Sequence, residues 1–581
     1  MSAGADSPAH GWRMAALLCA IALLWLTTRL YFGTAFDARY YMAEALNALD
    51  PARFTDDLFF QFGSQGNFSL FPWLYRPFLL LFGVGSTGMI LTAAGQLLWL
   101  SGLFCLTRVL AGERAMWLSM AVVICMQNVY PGSFSYGDSY LTARLFSEAF
   151  VMHALAQLTA HPLRTWALLA VAAALHPLMA LPGVGIALVY LALGRPIWWA
   201  MMAAGAALAA ALGLAGIAPF YNLFRTIDPE WLAIINLRTS YCFVGNWPVA
   251  YFILAAGTVV STVAALVLID GSHRRFLTAV LIVGIGGVVC TYLGGDIARN
   301  VLIVELQPWR SMWLLQLVSR ICVPLVLMAL IARVAKPQFD KFAWATLATM
   351  GLILASSVAR VLHNPTAVDF SLVSLAFLIP ALALMAANLL LTDRHLRVVL
   401  ISAVAGFALI PLALMRWDSR SPWIRYVEAP EPPPRDLAAL LPEGASVYWE
   451  SGLEMLWFRL KRSSYFSRDQ GVGALFYRDT AMAYQHRAVS FSPLGVGDLN
   501  EIETSAIMGK PPKPARNRAG LLALCRREKG LDYVVLTQPL DGVTPKVWKA
   551  PVLFQDMQSS DGTFYTPVAD RFYIYSCAPM R

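Results

Sequence analysis

Residues 14–41 carry the stretch MAALLCAIALLWLTTRLYFGTAFDARYY, which decides how the rest of the sequence is interpreted. Its first part, 14–32, is apolar over about the 20 residues that a membrane-spanning helix requires. Asp37 follows shortly after, so we expect a carboxylate at the boundary between lipid and water. Gly33-Thr34-Ala35 also resembles a signal-peptide cleavage site, but the long apolar stretch favours an uncleaved anchor.

The composition of the whole chain supports a membrane protein. Of 581 residues, 58% are hydrophobic and only 14% are charged, whereas average proteins have about 45–50% apolar and about 25% charged residues. So few charges cannot cover a water-soluble surface of this size. The net charge of +9 comes largely from cations in short loops, and no basic run has interleaved aromatics, so we expect no nucleic-acid partner but contact with membrane lipids.

Apolar segments recur along the first 416 residues and predict a polytopic α-helical membrane domain, 1–416. We predict thirteen spans, of which the short segment 184–193 is the least secure. They are 14–32, 87–109, 116–130, 141–160, 166–181, 184–193, 198–217, 249–269, 277–293, 312–331, 344–362, 372–391 and 398–415.

The loops between these spans alternate in charge. With the N-terminus in the cytoplasm, every inner loop is short and cationic, as the positive-inside rule requires. The C-terminal region then lies outside the cytoplasm. The richness in Ala, Leu and Arg points to a bacterium, so we expect an inner-membrane protein with a periplasmic C-terminal region. The inner-loop cations are Arg108, Arg114, His161, Arg164, Arg195, Arg274, Arg275, Lys336, Lys341, Arg394 and Arg397.

Two regions outside the spans are long enough to carry function. The first outer loop, 33–86, contains an aromatic segment at 68–82 that predicts a helix in the plane of the membrane interface. The Pro-rich segment 417–435 predicts a stiff linker, and the charges that follow predict an extracytoplasmic α/β domain at 436–581. In that domain we predict strands at 445–449, 488–491, 533–536 and 572–576 and helices at 453–460 and 520–527.

Polar residues at the outer ends of spans are the candidate site residues. Asp37 and Arg39 follow the first span among aromatic residues. A carboxylate partly removed from water is a better proton acceptor, so Asp37 is a candidate general base, with a helix cap or a pair with Arg39 as the structural alternative. Asp56-Asp57 in the same loop is a candidate cation ligand, although we expect a solvated turn.

Asp138, Arg144 and Glu148 lie where the fourth span begins. If this segment is helical, Arg144 and Glu148 form an i,i+4 ion pair. Charges at this depth are costly and indicate function by default, so all three are candidates, with a structural pair as the alternative. His176-Pro177 predicts a kink in the fifth span, which leaves His176 as a further candidate.

The outer loop before the tenth span contains Arg299, Gln307 and Arg310. We expect Arg310 at the depth of an outer-leaflet phosphate, whose oxygens a guanidinium fork binds well. Headgroup anchoring is the alternative. Cys525 and Cys577 lie in the outer domain, where an oxidising compartment would allow a disulfide. The sequence has no P-loop, so we expect no ATP-driven transport by this chain. It also has no HExxH motif of a metalloprotease and no GxSxG motif of a serine hydrolase.

Together these features resemble the GT-C superfamily of membrane glycosyltransferases. The shared features are the many spans, Asp37 after the first span, the long first outer loop, a second acid at Asp138 and the outer C-terminal domain. The resemblance implies a polyprenyl-phosphate-linked sugar donor, chemistry at the outer face, and Asp37 as base or metal-site residue. Ala38 stands where many relatives carry Glu, so metal dependence, on Mg²⁺ or Mn²⁺, stays open. No WWD motif occurs, which disfavours an oligosaccharyltransferase.

The resemblance implies an inverting displacement. The donor phosphate lies near Arg310 and Arg299, Asp37 takes the proton of the acceptor hydroxyl, and Asp138 orients the acceptor or shares a cation with Asp37. The acceptor is an envelope glycan, lipid or protein. Two alternatives stay open: a secondary transporter or flippase with Arg144, Glu148 and His176 along its path, and a non-catalytic envelope-assembly scaffold.

Overall fold

The computed structural model describes residues 8–126, 135–269, 271–334, 340–363, 371–390, 396–494, 516–554 and 569–581. These residues form a large helical region followed by a small mixed sheet, which confirms the predicted fold class. Helices suit a lipid environment because each one satisfies its own backbone hydrogen bonds.

The helices of the described residues are numbered in chain order. They are α1 (Pro8–Thr28), α2 (Ala38–Leu49), α3 (Leu58–Gln61), α4 (Phe71–Cys125), α5 (Ala143–Ala156), α6 (Pro162–Leu175), α7 (Pro177–Ala192), α8 (Ile197–Leu214), α9 (Pro229–Arg238), α10 (Val249–Leu268), α11 (Arg274–Thr291), α12 (Val301–Leu306), α13 (Met312–Val334), α14 (Lys341–His363), α15 (Leu372–Leu390), α16 (Leu396–Trp417), α17 (Pro422–Glu428), α18 (Arg435–Leu440), α19 (Arg478–Phe491) and α20 (Arg518–Arg527).

Among the described residues, nine helices are long and apolar enough to cross a membrane, and the chain is an integral membrane protein. This count takes α4 as one helix, although Gly83 and Gly112 have φ angles of 70° and 72° and divide it into three parts. The other predicted spans fall on the shorter helices α5, α6 and α7. Part of the predicted span 116–130 lies outside the described residues.

Two predicted span boundaries are wrong for identifiable reasons. The segment 166–181 is not one kinked helix, because Pro177 has no backbone N–H to continue α6, and His176 takes an extended conformation between α6 and α7. The first helix ends at Thr28 rather than at 32. Beyond it, Arg29 Nε donates to Gly137 O at 2.8 Å, and Tyr31 N donates to Trp417 O at 2.7 Å.

Helix α13 lies at the centre of the helical region. All residues from Met312 to Cys322 are buried, and the helix packs against α4, α10, α11 and α14. The outer loop that contains Gln307 and Arg310 leads directly into this helix, so the most deeply packed helix fixes the position of that loop.

The predicted interfacial helix 68–82 corresponds to the first part of α4. This part begins at Phe71 and ends at the break at Gly83. Phe71, Tyr75 and Leu79 are buried against the rest of the chain. The opposite face is apolar yet exposed, as expected for a helix that contacts lipid. The exposed side chains are Trp73, Leu74, Phe78, Leu80, Leu81 and Phe82.

The C-terminal sheet contains β1 (Val447–Trp449), β2 (Tyr533–Leu536), β3 (Lys546–Phe554) and β4 (Ala569–Ser576), in the spatial order β1-β2-β4-β3. β1 and β2 are parallel, with Tyr448 opposite Val534, and the other pairs are antiparallel. The strand predicted at 488–491 is wrong, because those residues end α19, and β3 was not predicted. Cys525 and Cys577 form a disulfide beside this sheet.

The segment predicted as a stiff linker is partly folded. It contains α17, whose Trp423, Ile424 and Val427 are buried. Glu428 ends this helix and accepts a hydrogen bond from Thr34 N at 2.6 Å. The start of the first outer loop is therefore attached to the segment that leads into the C-terminal sheet.

Asp57 connects the first outer loop to the C-terminal region more strongly. It is fully buried, which contradicts the predicted solvated turn, whereas Asp56 is exposed. Its carboxylate accepts hydrogen bonds from Trp457 Nε1 at 2.7 Å, Ser464 N at 2.8 Å and Gln470 Nε2 at 2.7 Å. One buried acid thus receives three donors from a segment about four hundred residues later.

Replacing Asp57 by Ala is expected to lower the free energy of unfolding by about 3 kcal/mol or more. The reason is that three buried donors lose their acceptor, at about 1–3 kcal/mol each. Thermal unfolding of the purified chain in detergent measures the effect. The exposed neighbour provides the control, since Asp56→Ala should change stability by less than about 0.5 kcal/mol. Equal Tm values for the two variants would contradict the structural role of Asp57.

Candidate active site

The carboxylate of Asp37 stands at the start of α2, directly after the turn that follows α1. Phe36 precedes it with a φ angle of 52°, a left-handed conformation that costs energy for a non-glycine residue. The Phe36 ring stacks on Tyr140 with centroids 5.5 Å apart. The Asp37 side chain is 38% exposed, and its Oδ2 accepts a hydrogen bond from Arg144 Nη1 at 2.7 Å. Asp37 is therefore both fixed and accessible.

Arg144 joins the two predicted acids of the site. Its Nε donates to Asp138 Oδ2 at 3.0 Å, while its Nη1 binds Asp37. Asp138 is only 1% exposed, and Thr142 Oγ1 also donates to its Oδ2, at 2.5 Å. Asp37, Asp138 and Arg144 thus form one ion-paired group, which we call the carboxylate–arginine group.

The predicted Arg144–Glu148 pair is replaced by other contacts. Helix α5 begins only at Ala143, so Asp138 lies in the preceding turn and Arg144 reaches back to it. Glu148 Oε2 instead accepts hydrogen bonds from Gly137 N at 2.8 Å and from Trp99 Nε1 at 2.7 Å. Glu148 therefore holds the turn that carries Asp138 and acts as a support of the site.

Gln307 and Arg310 form a second polar element beside this group. Gln307 is buried with a φ angle of 47°, and its Oε1 accepts a hydrogen bond from Arg310 Nε at 2.9 Å. The Arg310 guanidinium also lies 5.4 Å from the centroid of the Trp309 ring. Two contacts thus orient the guanidinium.

Tyr41 lies between the two elements. Burial raises the pKa of the Tyr41 phenol, and the charges of Arg144, Asp37 and Arg310 also act on it. Because such electrostatic effects fall off with distance, Arg144, Asp37 and Arg310 lie in the neighbourhood of this one tyrosine. Asp37, Tyr41 and Glu44 lie on one face of α2, since residues three, four and seven positions apart align on a helix.

His176 caps a helix at the edge of the site. Its Nδ1 accepts a hydrogen bond from Met179 N at 3.3 Å, at the start of α7, and its carbonyl accepts one from Ser147 Oγ at 3.2 Å. Arg310 and Arg144 both act on it electrostatically. His176 therefore lies near the site and serves first as a helix cap.

Two predicted site residues lie apart from the others. Arg39 does not pair with Asp37, because its Nη1 contacts Asp469 Oδ2 at 2.6 Å and Glu454 Oε1 at 2.9 Å, both in the C-terminal region. Arg299 is exposed. Its carbonyl accepts a hydrogen bond from Ile227 N at 2.8 Å, and no described contact joins its side chain to the carboxylate–arginine group.

The carboxylate–arginine group fits a divalent cation poorly. Within the described ranges, no group of three or more His, Cys, Asp or Glu side chains is arranged to hold a metal ion. Arg144 already supplies the positive charge between Asp37 and Asp138, at the position where a shared cation would have to bind. The guanidinium of Arg144 therefore takes the place of a cation between the two carboxylates.

Glu44 is a buried acid on the same face of α2 as Asp37, and the sequence did not reveal it because it has no motif around it. It is 3% exposed, its Oε1 accepts a hydrogen bond from Gly66 N at 2.7 Å, and its Oε2 has no hydrogen-bond partner among the described residues. Burial raises the pKa of Glu44 to about 8, although hydrogen bonds from Gly66 and Ser64 act to lower it. A protonated Glu44 therefore prevails at neutral pH.

Glu44 should make stability depend on pH. Its pKa rises on folding from 4.5 to about 8, so the folded state takes up a proton between these values. Its stabilising contribution is complete below pH 4.5 and is lost as the pH rises to about 8. We expect the Tm of the wild type to fall relative to Glu44→Gln over this range. Glu443→Gln, at an exposed position, should show no such trend, and parallel pH profiles would contradict the assignment.

Comparisons with known proteins give little beyond the fold. No protein-family model and no curated protein sequence matches the chain. A match among solved structures is the crystal structure of ArnT from Cupriavidus metallidurans in the apo state, with 14% identity, 99% coverage of both chains and a TM-score of 0.43.

Proposed function

We propose that the chain is a membrane glycosyltransferase of the GT-C type. It transfers a sugar from a polyprenyl-phosphate-linked donor to an envelope acceptor at the outer face of the membrane, with Asp37 as general base. The observation that carries the proposal is the Asp37 carboxylate, 38% exposed and held by Arg144 at 2.7 Å. A fixed and accessible carboxylate at the end of a span is what proton abstraction from a membrane-bound hydroxyl requires.

The two carboxylate oxygens of Asp37 have different roles in the proposed reaction. Oδ2 accepts the hydrogen bond of Arg144, and within the described part of the chain Oδ1 has no hydrogen-bond donor. An acceptor hydroxyl bound at Oδ1 gives up its proton as its oxygen attacks the anomeric carbon. The bond between that carbon and the phosphate oxygen breaks, and its electron pair stays on the phosphate. Attack opposite the leaving group inverts the anomeric configuration.

Arg310 is the proposed partner of the leaving phosphate. Charge develops on the phosphate as the bond breaks, and a pre-oriented guanidinium stabilises it without further reorganisation. Gln307 and Trp309 supply that orientation. Asp138 holds Arg144 in place and therefore positions Asp37 without touching the substrate.

Replacing Arg310 by Ala is expected to raise KM for the donor and to lower kcat. Loss of a charged phosphate contact costs about 1.5–3 kcal/mol, or about 10- to 100-fold in kcat/KM. Steady-state kinetics with varied donor concentration measures both constants. Arg225→Ala, which removes an exposed arginine of another outer loop, is the control and should match the wild type. An unchanged kcat/KM in Arg310→Ala would remove this residue from the mechanism.

The proposed orientation places the N-terminus in the cytoplasm and the C-terminal sheet in the periplasm of a bacterial inner membrane. The cationic inner loops support it. The disulfide between Cys525 and Cys577 supports it as well, because disulfides persist in oxidising compartments such as the periplasm.

Mass spectrometry of envelope glycans and glycolipids tests the proposed reaction. Cells that lack the chain should lack one sugar increment and accumulate a polyprenyl-phosphate sugar, and the wild-type gene should restore the increment. This result names both the donor and the product. A normal glycan profile without the chain, together with substrate flux across liposomes that contain it, would establish a transporter instead. A normal profile without flux would indicate the scaffold.

A further inference from the structure

A large cleft lies between the first outer loop and the segment that follows α17. Its volume is about 1580 Å³, which exceeds the roughly 300–1,000 Å³ of ordinary small-ligand sites. Leu46 and Leu49, at the far end of α2 from Asp37, line it. At about 1.5 Å per helical residue, Leu46 lies about 14 Å along α2 from Asp37. The cleft is therefore distinct from the candidate active site.

One wall of the cleft is apolar and continues into a surface that faces outward. Leu79, Leu80 and Val84 of α4 line it on both sides of the break at Gly83. Leu80 is 69% exposed, and the neighbouring Leu81 and Phe82 are exposed as well. This part of α4 is the predicted interfacial helix, so acyl chains can reach the wall directly from the membrane.

Two carboxylates of the segment 417–435 line the cleft, and each is neutralised by an arginine. Glu428 Oε2 pairs with Arg420 Nη1 at 2.8 Å, and Glu431 Oε2 pairs with Arg459 Nη1 at 3.5 Å. These acids therefore do not balance the cations on the opposite wall. The other acids of the lining are exposed: Asp56 and Glu443.

Arg53 and Arg459 line the cleft but pair with Asp50 and Glu431. Three further cations line it: Lys461, Arg462 and Arg487. None of them forms an ion pair with a residue in the described ranges. Arg462 Nη1 donates to Pro442 O at 3.0 Å, and Arg487 Nη1 donates to Tyr465 O. Both guanidinium groups keep their full charge in these contacts, since a carbonyl partner does not neutralise it. This wall is therefore suited to an anion.

The backbone that presents Lys461 is unusual. It follows a π-helical turn at Met455–Arg459, and Lys461 itself has a φ angle of 50°. Both features are energetically unfavourable and cluster at functional sites in proteins. Together they turn the chain so that Arg459, Lys461 and Arg462 all line the same cleft.

We propose that this cleft binds an anionic phospholipid of the outer leaflet. Its phosphate lies against Lys461 and Arg462, and its acyl chains lie along Leu79, Leu80 and Val84. The combination of an apolar wall open to the membrane and a cationic wall matches an amphiphile with an acidic headgroup. The bound lipid bridges the first outer loop and the C-terminal region. This site is independent of the transfer reaction.

Lipid binding to the purified full-length chain, measured by native mass spectrometry in detergent, tests the proposal. The probes are dioctanoyl phosphatidylglycerol, dioctanoyl phosphatidylcholine and glycerol 3-phosphate. We expect phosphatidylglycerol to bind best. Lys461→Glu should weaken its binding about tenfold, since one cationic side chain near a lipid headgroup contributes about 1 kcal/mol and the substitution also adds a negative charge.

Matched variants separate the two walls. Leu80→Asn should weaken the binding of phosphatidylglycerol. It should not strengthen the binding of phosphatidylcholine or of glycerol 3-phosphate. Lys549→Glu and Leu553→Asn change exposed residues of β3 and should bind like the wild type. Four results would overturn the proposal: undiminished binding in Lys461→Glu, undiminished binding in Leu80→Asn, equal affinity for phosphatidylcholine, or equal affinity for glycerol 3-phosphate. All four variants change exposed side chains, and an unchanged Tm confirms that each one folds.

Discussion

Asp37→Asn is expected to lower kcat by about 10²–10⁴-fold, the usual contribution of a general base. The amide keeps the size and the hydrogen-bonding oxygen of the carboxylate but cannot accept the acceptor's proton at neutral pH. KM for the donor should change little, because the donor phosphate is assigned to Arg310. Kinetics of the purified variant, with the donor and acceptor that envelope mass spectrometry identifies, measure the effect.

A second carboxylate serves as the control for this result. Asp479 is exposed near the start of α19, and Asp479→Asn should retain wild-type kinetics. If Asp37→Asn retains activity while Arg310→Ala abolishes it, Asp37 is not the base. A loss confined to KM would instead make Asp37 a binding residue.

Arg144→Met is expected to cause the largest loss of stability among the site variants. Arg144 is buried and pairs with both Asp37 and Asp138, so its removal leaves a carboxylate buried without its charged partner. Breaking a buried pair in this way costs about 3–5 kcal/mol. Thermal unfolding in detergent should show the loss, and activity should fall as well because Asp37 is no longer held.

A double variant distinguishes this explanation from a simple packing defect. Asp138→Asn removes the charge that Arg144→Met leaves behind, so the double variant should be more stable than Arg144→Met alone. Arg195→Met, at an exposed position between α7 and α8, should leave the Tm unchanged. If the effects of the two substitutions simply add, Arg144 and Asp138 are not energetically coupled.

Local sequence patterns were sufficient to predict the helices of the membrane region. Hydropathy located most of the long apolar helices, and the charges at the ends of the predicted spans singled out Asp37, Asp138 and Arg144, which the fold brings together. The fifth and sixth spans were divided at the wrong place, although Pro177 marks the break. A proline after an extended residue ends a helix more readily than it kinks one.

Contacts between distant segments could not be read from the sequence. Arg144 was predicted to pair with Glu148, four residues away, yet it binds Asp37, 107 residues earlier. Asp57 looked like part of a polar turn because its donors follow about four hundred residues later. In both cases the partner is brought close only by the folded chain.

The strands of the C-terminal sheet were also only partly predictable from the sequence. Strand β3 contains Pro551, which argues against a strand in an isolated sequence. The strand order puts β3 at the edge of the sheet, where one side of the backbone needs no partner and proline is tolerated. Conversely, the short stretch 488–491 suits a strand by composition but is the last turn of α19.

The hydrogen bonds of Asp57 have a consequence for biosynthesis. The ribosome makes the first outer loop early, but its partners Trp457, Ser464 and Gln470 appear about four hundred residues later. Until that segment has been synthesised, Asp57 stays without these donors and the first outer loop lacks this support. The first outer loop therefore takes up these contacts only after this late segment has been made, and a product truncated before Trp457 lacks all three donors.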